Sequence, residues 1–444
     1  MMKTDVVSDF RGKRVLVMGL GLHGGGVGTV DFLSRQGAEI TVTDLRTARE
    51  LAPSLRALHR IKGIRYVLGE HRMKDFSVAD MIIKNPGVRR DSPYLQGATR
   101  RGIPIRSDMD IFFDLCPARI IGVTGTRGKS TTTYLIWQFL KTKYRHVHYA
   151  GNIRKSVLTL LPQVKKNDVV VLELSSFQLA DLSREQKSPH IAIFTNLMRD
   201  HLNWHRTMHE YQEAKCAIFR FQRPDDYLFV PRDDATLRRM TRNAPSHIEK
   251  TTLAPALIAI VDQNLGHHYR SSVGLAAGVA QHFGVSNANI KKILSAFKGL
   301  EARQEEIARI RGVRMINDTT ATTPDAAIVA IQRFRASTGS GHMLILIAGG
   351  SDKKLDFKNM ARAIKKSVDR LVFLPGAGTE KLKRELPGIK YAEARSMREA
   401  VEISWRDAKR GDCIVLSPGA ASFGLFLNEF DRGAEFARAV KKLK

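Results

Sequence analysis

Residues 120–141 read IIGVTGTRGKSTTTYLIWQFLK: an apolar run, a glycine-punctuated turn, then a helix-forming segment. A nucleoside triphosphate is held by backbone N–H groups turned inward, one lysine, and a hydroxyl for Mg2+. Gly122, Gly125 and Gly128 give the turn its freedom, and Thr126 lies within it. Lys129 can reach the β- and γ-phosphates, and Ser130 or Thr131 can hold the metal. The helix that follows points its positive dipole end at the phosphates. A strict P-loop has glycine five residues before Gly128, where this chain has Val123. An unliganded glycine turn is the plain alternative, but the strand–loop–helix setting and the ending GKSTTT favour nucleotide binding.

Outward from this stretch, apolar strand-like runs alternate with helical segments along all 444 residues, an α/β pattern with mainly parallel sheets. Strands are expected at 14–18, 39–43, 65–68, 81–84, 118–123, 167–172, 190–195, 313–316, 343–348, 370–374 and 413–416. Three domains follow, with limits at 1–113, 114–299 and 300–444, and 298–311 reads as a junction. The chain is too long for one ordinary core.

Lys and Arg number 72 against 44 Asp and Glu, a net charge of +28. Such an excess attracts polyanions, yet the basic residues are scattered without interleaved aromatics. No dedicated nucleic-acid partner is expected. No apolar run approaches the ~20 residues that span a bilayer, and the N-terminus MMKTDVVSDF shows no export signal. Cys116, Cys216 and Cys413 are dispersed, as expected of a cytoplasmic protein. The chain is read as a monomer.

Two downstream segments extend the chemistry. In VVVLELSSFQL, Glu173 ends a strand that should be buried, where an isolated carboxylate is costly; a Mg2+ ion beside the phosphates would resolve the cost. In NLMRDHLNWH, Asp200 and His201 follow another apolar strand and His205 lies a helical turn on. His201 and His205 have the spacing of a zinc pair, but with no third soft ligand nearby His205 is better read as a hydrogen-bonding or surface histidine. In the first domain, GLGLHG at 19–24 followed by Asp44 also fits NAD binding, and a dehydrogenase would be the default on that fragment alone. The second, ATP-type loop argues against it.

Taken together, GVTGTRGKSTTT, LELSSFQL, NLMRDHLNWH and EYQEAK resemble the ATP-dependent Mur ligase family, whose loop GTxGK[ST] is not a strict P-loop. LVMGLGLHGGG, TVTDLR, KNPGV, GGSDKKLDF and SPGAASFGLFLNEFDRGAEF extend the resemblance over essentially the whole chain. It implies a Rossmann-like UDP-binding domain, a central ATPase domain with a parallel sheet, and a Rossmann-like C-terminal domain that binds the amino acid. The activity implied is peptidoglycan precursor synthesis: D-glutamate is joined to UDP-N-acetylmuramoyl-L-alanine through an acyl phosphate made from ATP. Lys129, Glu173, His201 and Lys215 are then catalytic. Gly125, Thr126, Gly128, Lys129, Ser130, Thr131, Arg303 and Asp318 bind ATP. Two Mg2+ sites draw on Ser130, Glu173, His201 and Lys215, the last as a carbamate. Gly21, Leu22, His23, Asp44, Arg46, Asn152, Ser175 and Gln178 contact the UDP substrate, while Thr322, Lys353 and Ser422 hold the amino acid, with a helix N-terminus near Ser422 completing an anion clamp. From the residues alone, Lys215 reads as an ordinary exposed helical lysine.

Four positions depart from the family's pattern. Thr320 stands where lysine is frequent, Glu429 where phenylalanine is usual, and Ser272 at the adenine-contacting asparagine. Arg127 replaces an asparagine or lysine in the loop. Two alternatives stay open: an amide ligase of the same architecture for another amino acid, such as a folylpolyglutamate-type enzyme, or a basic polyanion-binding protein on an inactive ligase fold.

Overall fold

The computed structural model describes residues 10–152, 156–353, 355–422 and 424–443. The N-terminal residues 1–9, Lys354 of GGSDKKLDF and Phe423 of SPGAASF lie outside them.

In the first sheet, β1 (Arg14–Met18), β2 (Glu39–Asp44), β3 (Arg65–Leu68), β4 (Met81–Lys84) and β5 (Ile105–Arg106) run in the order β3-β2-β1-β4-β5, all parallel. The order reverses between β1 and β4, and ligands of such sheets bind beyond the carboxyl ends of the strands at that point. The turn Gly19–Gly24 and the segment 85–91 both leave the sheet there.

The second sheet contains β6 (Arg119–Thr124), β7 (Val147–Gly151), β8 (Val169–Glu173), β9 (Ile191–Phe194), β10 (Tyr227–Pro231) and β11 (His247–Thr251) in the order β11-β10-β9-β6-β8-β7. β6 lies between β8 and β9, so the loops after these three strands converge on one edge. Both sheets belong to one compact unit, Met1–Ile260 with Tyr269–Ser295, and share a core that includes Val15, Val17, Phe112, Ile120 and Leu172.

The third sheet belongs to a second unit, Val261–His268 with Ala296–Lys444. It contains β12 (Glu305–Ile310), β13 (Val313–Asn317), β14 (Leu344–Ala348), β15 (Arg370–Phe373), β16 (Ala392–Glu393) and β17 (Cys413–Leu416), ordered β12-β13-β17-β14-β15-β16. Along β14, Leu344, Leu346 and Ala348 enter one apolar layer while Ile345 and Ile347 enter the other. Burial on both faces explains why the strand reads as an unbroken apolar run. β12 is antiparallel to β13 and occupies much of the stretch expected as a junction. Its pattern is only half-buried, as an edge strand permits, so the apolar signal is weak.

Candidate active site

The phosphate-type loop follows β6 and leads into the helix Lys129–Leu140, which starts at Gly128 with φ 80°. Gly125 has φ 146°, and a Cβ there would fall on the Thr195 hydroxyl; a Cβ at Gly128 would fall on that of Ser272. Left-handed backbone and absent space together require glycine at both positions. The loop is pinned to the end of β9: Thr126 N–H donates to the Asn196 carbonyl (3.0 Å) and Arg127 N–H to Asn196 Oδ1 (2.9 Å). Lys129 Nζ folds back on the carbonyls of Gly125 (3.0 Å) and Thr126 (3.1 Å). Ser130 and Thr131 lie in the first turn of the helix and are buried. Ser272, expected at the adenine-contacting position, sits against this loop and accepts from Thr132 Oγ1 through its carbonyl (3.4 Å).

Lys215 is 1% exposed, which corrects the expectation of a solvated helical lysine. The helix Met208–Arg220 turns its Tyr211/Lys215 face inward, an i, i+4 pair on one side. Lys215 Nζ donates to the Gly125 carbonyl (2.7 Å) and lies 4.9 Å from the centre of the Tyr211 ring. Burial, reinforced by the Lys129 cation, pushes the amine's pKa well below the usual lysine range, with Asp200 and Glu173 opposing the shift.

Glu173, at the end of β8, is 2% exposed. Its Oε1 accepts from Asn152 Nδ2 (3.3 Å), while Oε2 has no hydrogen-bond partner among the described residues. A buried carboxylate oxygen left this way requires a counterpart, and a hard, oxygen-seeking cation suits it. Glu173 is therefore a carboxylate that Mg2+ would suit, and Ser130 and His201 are the other side chains expected to hold such an ion.

His201 follows Asp200 with a left-handed backbone (φ 53°), its N–H donated to Asp200 Oδ1 (2.8 Å). Its ring meets Phe177 edge-on at 4.9 Å and lies 6.2 Å from Tyr211. His205 is fully buried, stacks on Phe177 and shares a 2.9 Å hydrogen bond between Nε2 and Ser176 Oγ. Burial first, then His201, pushes its pKa down to about 3, so the ring is neutral and part of the packing. Tyr211 was not singled out by the sequence; its hydroxyl meets Thr126 Oγ1 at 3.1 Å and joins the loop to the Lys215 helix.

Among the residues expected at the UDP substrate, Asp44 braces the first-sheet turn. Its Oδ2 accepts from Gly21 N–H (3.0 Å) and its Oδ1 from Arg46 N–H (2.9 Å). Leu22 and the exposed His23 lie on the same turn. Ser175 and Gln178 form a capping box on the helix Ser176–Arg184: Ser175 Oγ accepts from Gln178 N–H and Gln178 Oε1 from Ser175 N–H. The Gln178 amide nitrogen takes no part in the box. The sequence did not reveal a buried ionic cluster linking the first and second sheets. Lys84 Nζ donates to Asp181 Oδ2 (2.6 Å), and Arg90 Nε to Asp181 Oδ1 (3.0 Å). Asp108, buried beside this pair, has its pKa pushed up to about 6, chiefly by desolvation.

In the second unit, Asp318 at the end of β13 accepts from Ser417 Oγ (2.7 Å) and Gln304 N–H (3.1 Å), and Arg303 lies close enough to act on its charge. Lys353 Nζ donates to Thr322 Oγ1 (3.2 Å), which brings two of the three expected amino-acid ligands together. Ser422 is buried next to the Ser351–Ala421 bridge. It is not at a helix N-terminus as expected: the helix Glu429–Lys441 begins later, capped by Asn428, because residues 424–428 are taken up by a turn. Arg432, which the sequence also left unremarked, is fully buried; it donates to Thr319 Oγ1 (3.1 Å) and to the carbonyls of Thr319 (2.8 Å) and Ala420 (3.1 Å).

Family models for the Mur ligase MurD-like N-terminal domain, the Mur ligase middle domain and the Mur ligase glutamate ligase domain match residues 13–107, 123–274 and 302–419. The chain is 41% identical to UDP-N-acetylmuramoylalanine–D-glutamate ligase of Roseiflexus sp. (strain RS-1), over 97% of this chain and 98% of the relative. It is 34% identical to the enzyme of that name from Borreliella afzelii (strain PKo), over 98% and 99%. Among solved structures it is similar in fold to UDP-N-acetylmuramate-alanine ligase from Thermotoga maritima, with a TM-score of 0.64 and 17% identity, over 97% of this chain and 100% of that one. With three models falling in order on the three sheets, and relatives matched almost end to end, this chain belongs to the Mur ligase family.

Proposed function

We propose that the chain is an ATP-dependent ligase that joins D-glutamate to UDP-N-acetylmuramoyl-L-alanine, the activity carried in its relatives' names. The observation that supports the chemistry best is the placement of the buried Lys215 amine and the unpartnered Glu173 oxygen beside the phosphate-type loop.

In this reading the loop N–H groups and Lys129 hold the ATP phosphates. The muramoyl-L-alanine carboxylate attacks the γ-phosphorus, giving an acyl phosphate and ADP. The D-glutamate ammonium gives one proton to solvent and its amine adds to the acyl carbon; the tetrahedral intermediate then gives up a second nitrogen proton to solvent and expels inorganic phosphate, leaving the amide. Ser130, Glu173, His201 and a carbamylated Lys215 would hold Mg2+, which would supply positive charge to offset the repulsion between the reacting anions. Carbamylation suits Lys215 because burial and the Lys129 cation favour its neutral amine: nitrogen bonds to the carbon of CO2 and a proton departs to solvent. Arg303 and Asp318 serve ATP, and Lys353, Thr322 and Ser422 the two D-glutamate carboxylates. The turn at Gly21–His23 with Arg46, and Asn152 and Gln178, serve the UDP substrate, with Asp44 and Ser175 shaping their segments. The working domain limits are 1–113, 114–299 and 300–444. The enzyme acts as a cytoplasmic monomer without a dedicated nucleic-acid partner. Among the described residues no helix is long and apolar enough to cross a membrane.

Phosphate release is to be measured with D-Glu, L-Glu, L-Ala and diaminopimelate, each with the matching nucleotide precursor. D-Glu with UDP-N-acetylmuramoyl-L-alanine should stimulate release; stimulation by another amino acid instead refutes the specific assignment. Lys129→Ala should abolish turnover, and an unchanged rate would favour the inactive, polyanion-binding alternative.

A further inference from the structure

The segment 200–207 carries His201 at one end and reaches the first-sheet loop 85–91 at the other. Trp204 Nε1–H donates to the Gly87 carbonyl (3.0 Å), and the Arg89 guanidinium lies 5.3 Å from the centre of the Trp204 ring. Arg206 pairs with Asp91 (2.5 Å), whose carboxylate also takes both nitrogens offered by Arg89 (2.9 Å each). Between these contacts His205 anchors the strap in the core on Ser176 and Phe177.

Two further features mark the strap as held under constraint. His201 (φ 53°) and Arg206 (φ 62°, ψ −48°) both have positive φ, one at each end of the short helix Leu202–His205. Non-glycine residues stay in such conformations only where the surroundings over-determine them, and they gather at functional sites. A cavity of about 420 Å³, lined by Arg90, Asp181, Trp204, His205 and Glu210 among others, opens beside the strap. Close packing is absent on that side, so the hydrogen bond, the ring contact and the ion pair fix its position.

We propose that Trp204 and Arg206 are positioning residues that latch the 85–91 loop to the His201 strap, so that a UDP substrate seated on the first sheet presents its carboxylate in register with the phosphate-type loop. This rests on the ligase reading above. Loop 85–91 leaves β4 at the switch point of the first sheet, where the nucleotide end is expected. The latch is therefore a direct mechanical link between nucleotide binding and the reacting end.

The test uses the full-length enzyme with Trp204→Phe, which keeps a ring but loses the N–H donor, Arg206→Gln, and Arg206→Lys. Loss of one hydrogen bond corresponds to about a fivefold effect, and loss of an exposed ion pair to about a threefold one. Trp204→Phe should lower kcat/KM for the UDP substrate about fivefold and Arg206→Gln about threefold, with KM for ATP unchanged, and Arg206→Lys should retain most activity. Hydrogen exchange of amides 85–91 should quicken in the first two variants. Unchanged kinetics, or an equal rise in both KM values, overturns the latch. If the parent shows no D-Glu-dependent phosphate release the ligase reading fails, and the exchange measurement still decides the latch: unaltered exchange in both variants refutes it.

Discussion

Lys215 donates to the carbonyl oxygen of Gly125 across 2.7 Å, so the buried amine is tied to the loop expected to hold phosphate and not to a carboxylate. Burial and the Lys129 cation favour the neutral form of this amine against the pull of Asp200 and Glu173, which suits it to bond CO2. Lys215→Ala should lower turnover by about 10²–10³, the scale of losing one preorganised charge-stabilising group. Acetate or propionate should restore part of it in a saturable way, because a small carboxylate can take the place of the carbamate. Activity in Lys215→Ala equal to the parent's would discount the carbamate.

Gly125→Ala is a second discriminating change. The added methyl falls on the Thr195 hydroxyl, and φ 146° is hostile to any side chain. Strain of this kind costs roughly 1–3 kcal/mol, so the melting midpoint should fall and ATP turnover should collapse, as the loop can no longer reach Asn196. Retained turnover with an unshifted midpoint would show that the loop geometry is not required.

The Lys84–Asp181 pair lies in the interior, with side chains 1% and 3% exposed. Asp181→Leu strands the Lys84 ammonium and should cost about 3–5 kcal/mol in denaturant unfolding. Adding Lys84→Met should recover part of this, because it removes the unpaired charge. If the double variant is less stable than Asp181→Leu alone, the pair is not coupled as described.

Asp318 sets a pH dependence. Burial pushes its pKa up to about 7, against the opposing pull of the Ser417 hydroxyl, the Gln304 N–H, Arg303 and Arg333. The folded state therefore keeps a proton that the unfolded chain releases near pH 4. As pH rises from about 4 to about 7, this group progressively destabilises the fold, by up to about 4 kcal/mol above pH 7. Asp318→Asn, which keeps the acceptor oxygen, should be close to the parent in stability near pH 4 and clearly more stable at pH 8. A stability difference that is flat with pH would contradict the raised pKa.

The chemistry of the loop was legible because it is local: strand, glycines, lysine and hydroxyl fall within one run of residues 120–131. Glu173 was legible for the same reason, as a charge closing an apolar strand. Lys215 was not, because EYQEAKC has the composition of a solvated helix and only tertiary packing turns the Tyr211/Lys215 face inward. The Lys84–Asp181 bond joins residues 97 apart in the chain, beyond any local pattern. Ser175 and Gln178 carry the S-x-x-Q spacing of a capping box, and the family resemblance drew attention to an expected substrate role instead. β12 escaped as an edge strand whose weak alternation looks like a linker.

Arg432 carries one more implication. Held at zero exposure, it grips Thr319 and Ala420 from behind, while the helix carrying it starts at Glu429. The scaffold of the end expected to bind the amino acid is thus set by an internal cation. Glu429 joins that scaffold through its backbone carbonyl, which accepts from Thr319 Oγ1 (2.7 Å), while Thr320 Oγ1 donates to the Ala302 carbonyl (3.0 Å) beside it. Lining residues there are free to drift, or to be redesigned for another amino acid, while the frame stays standing.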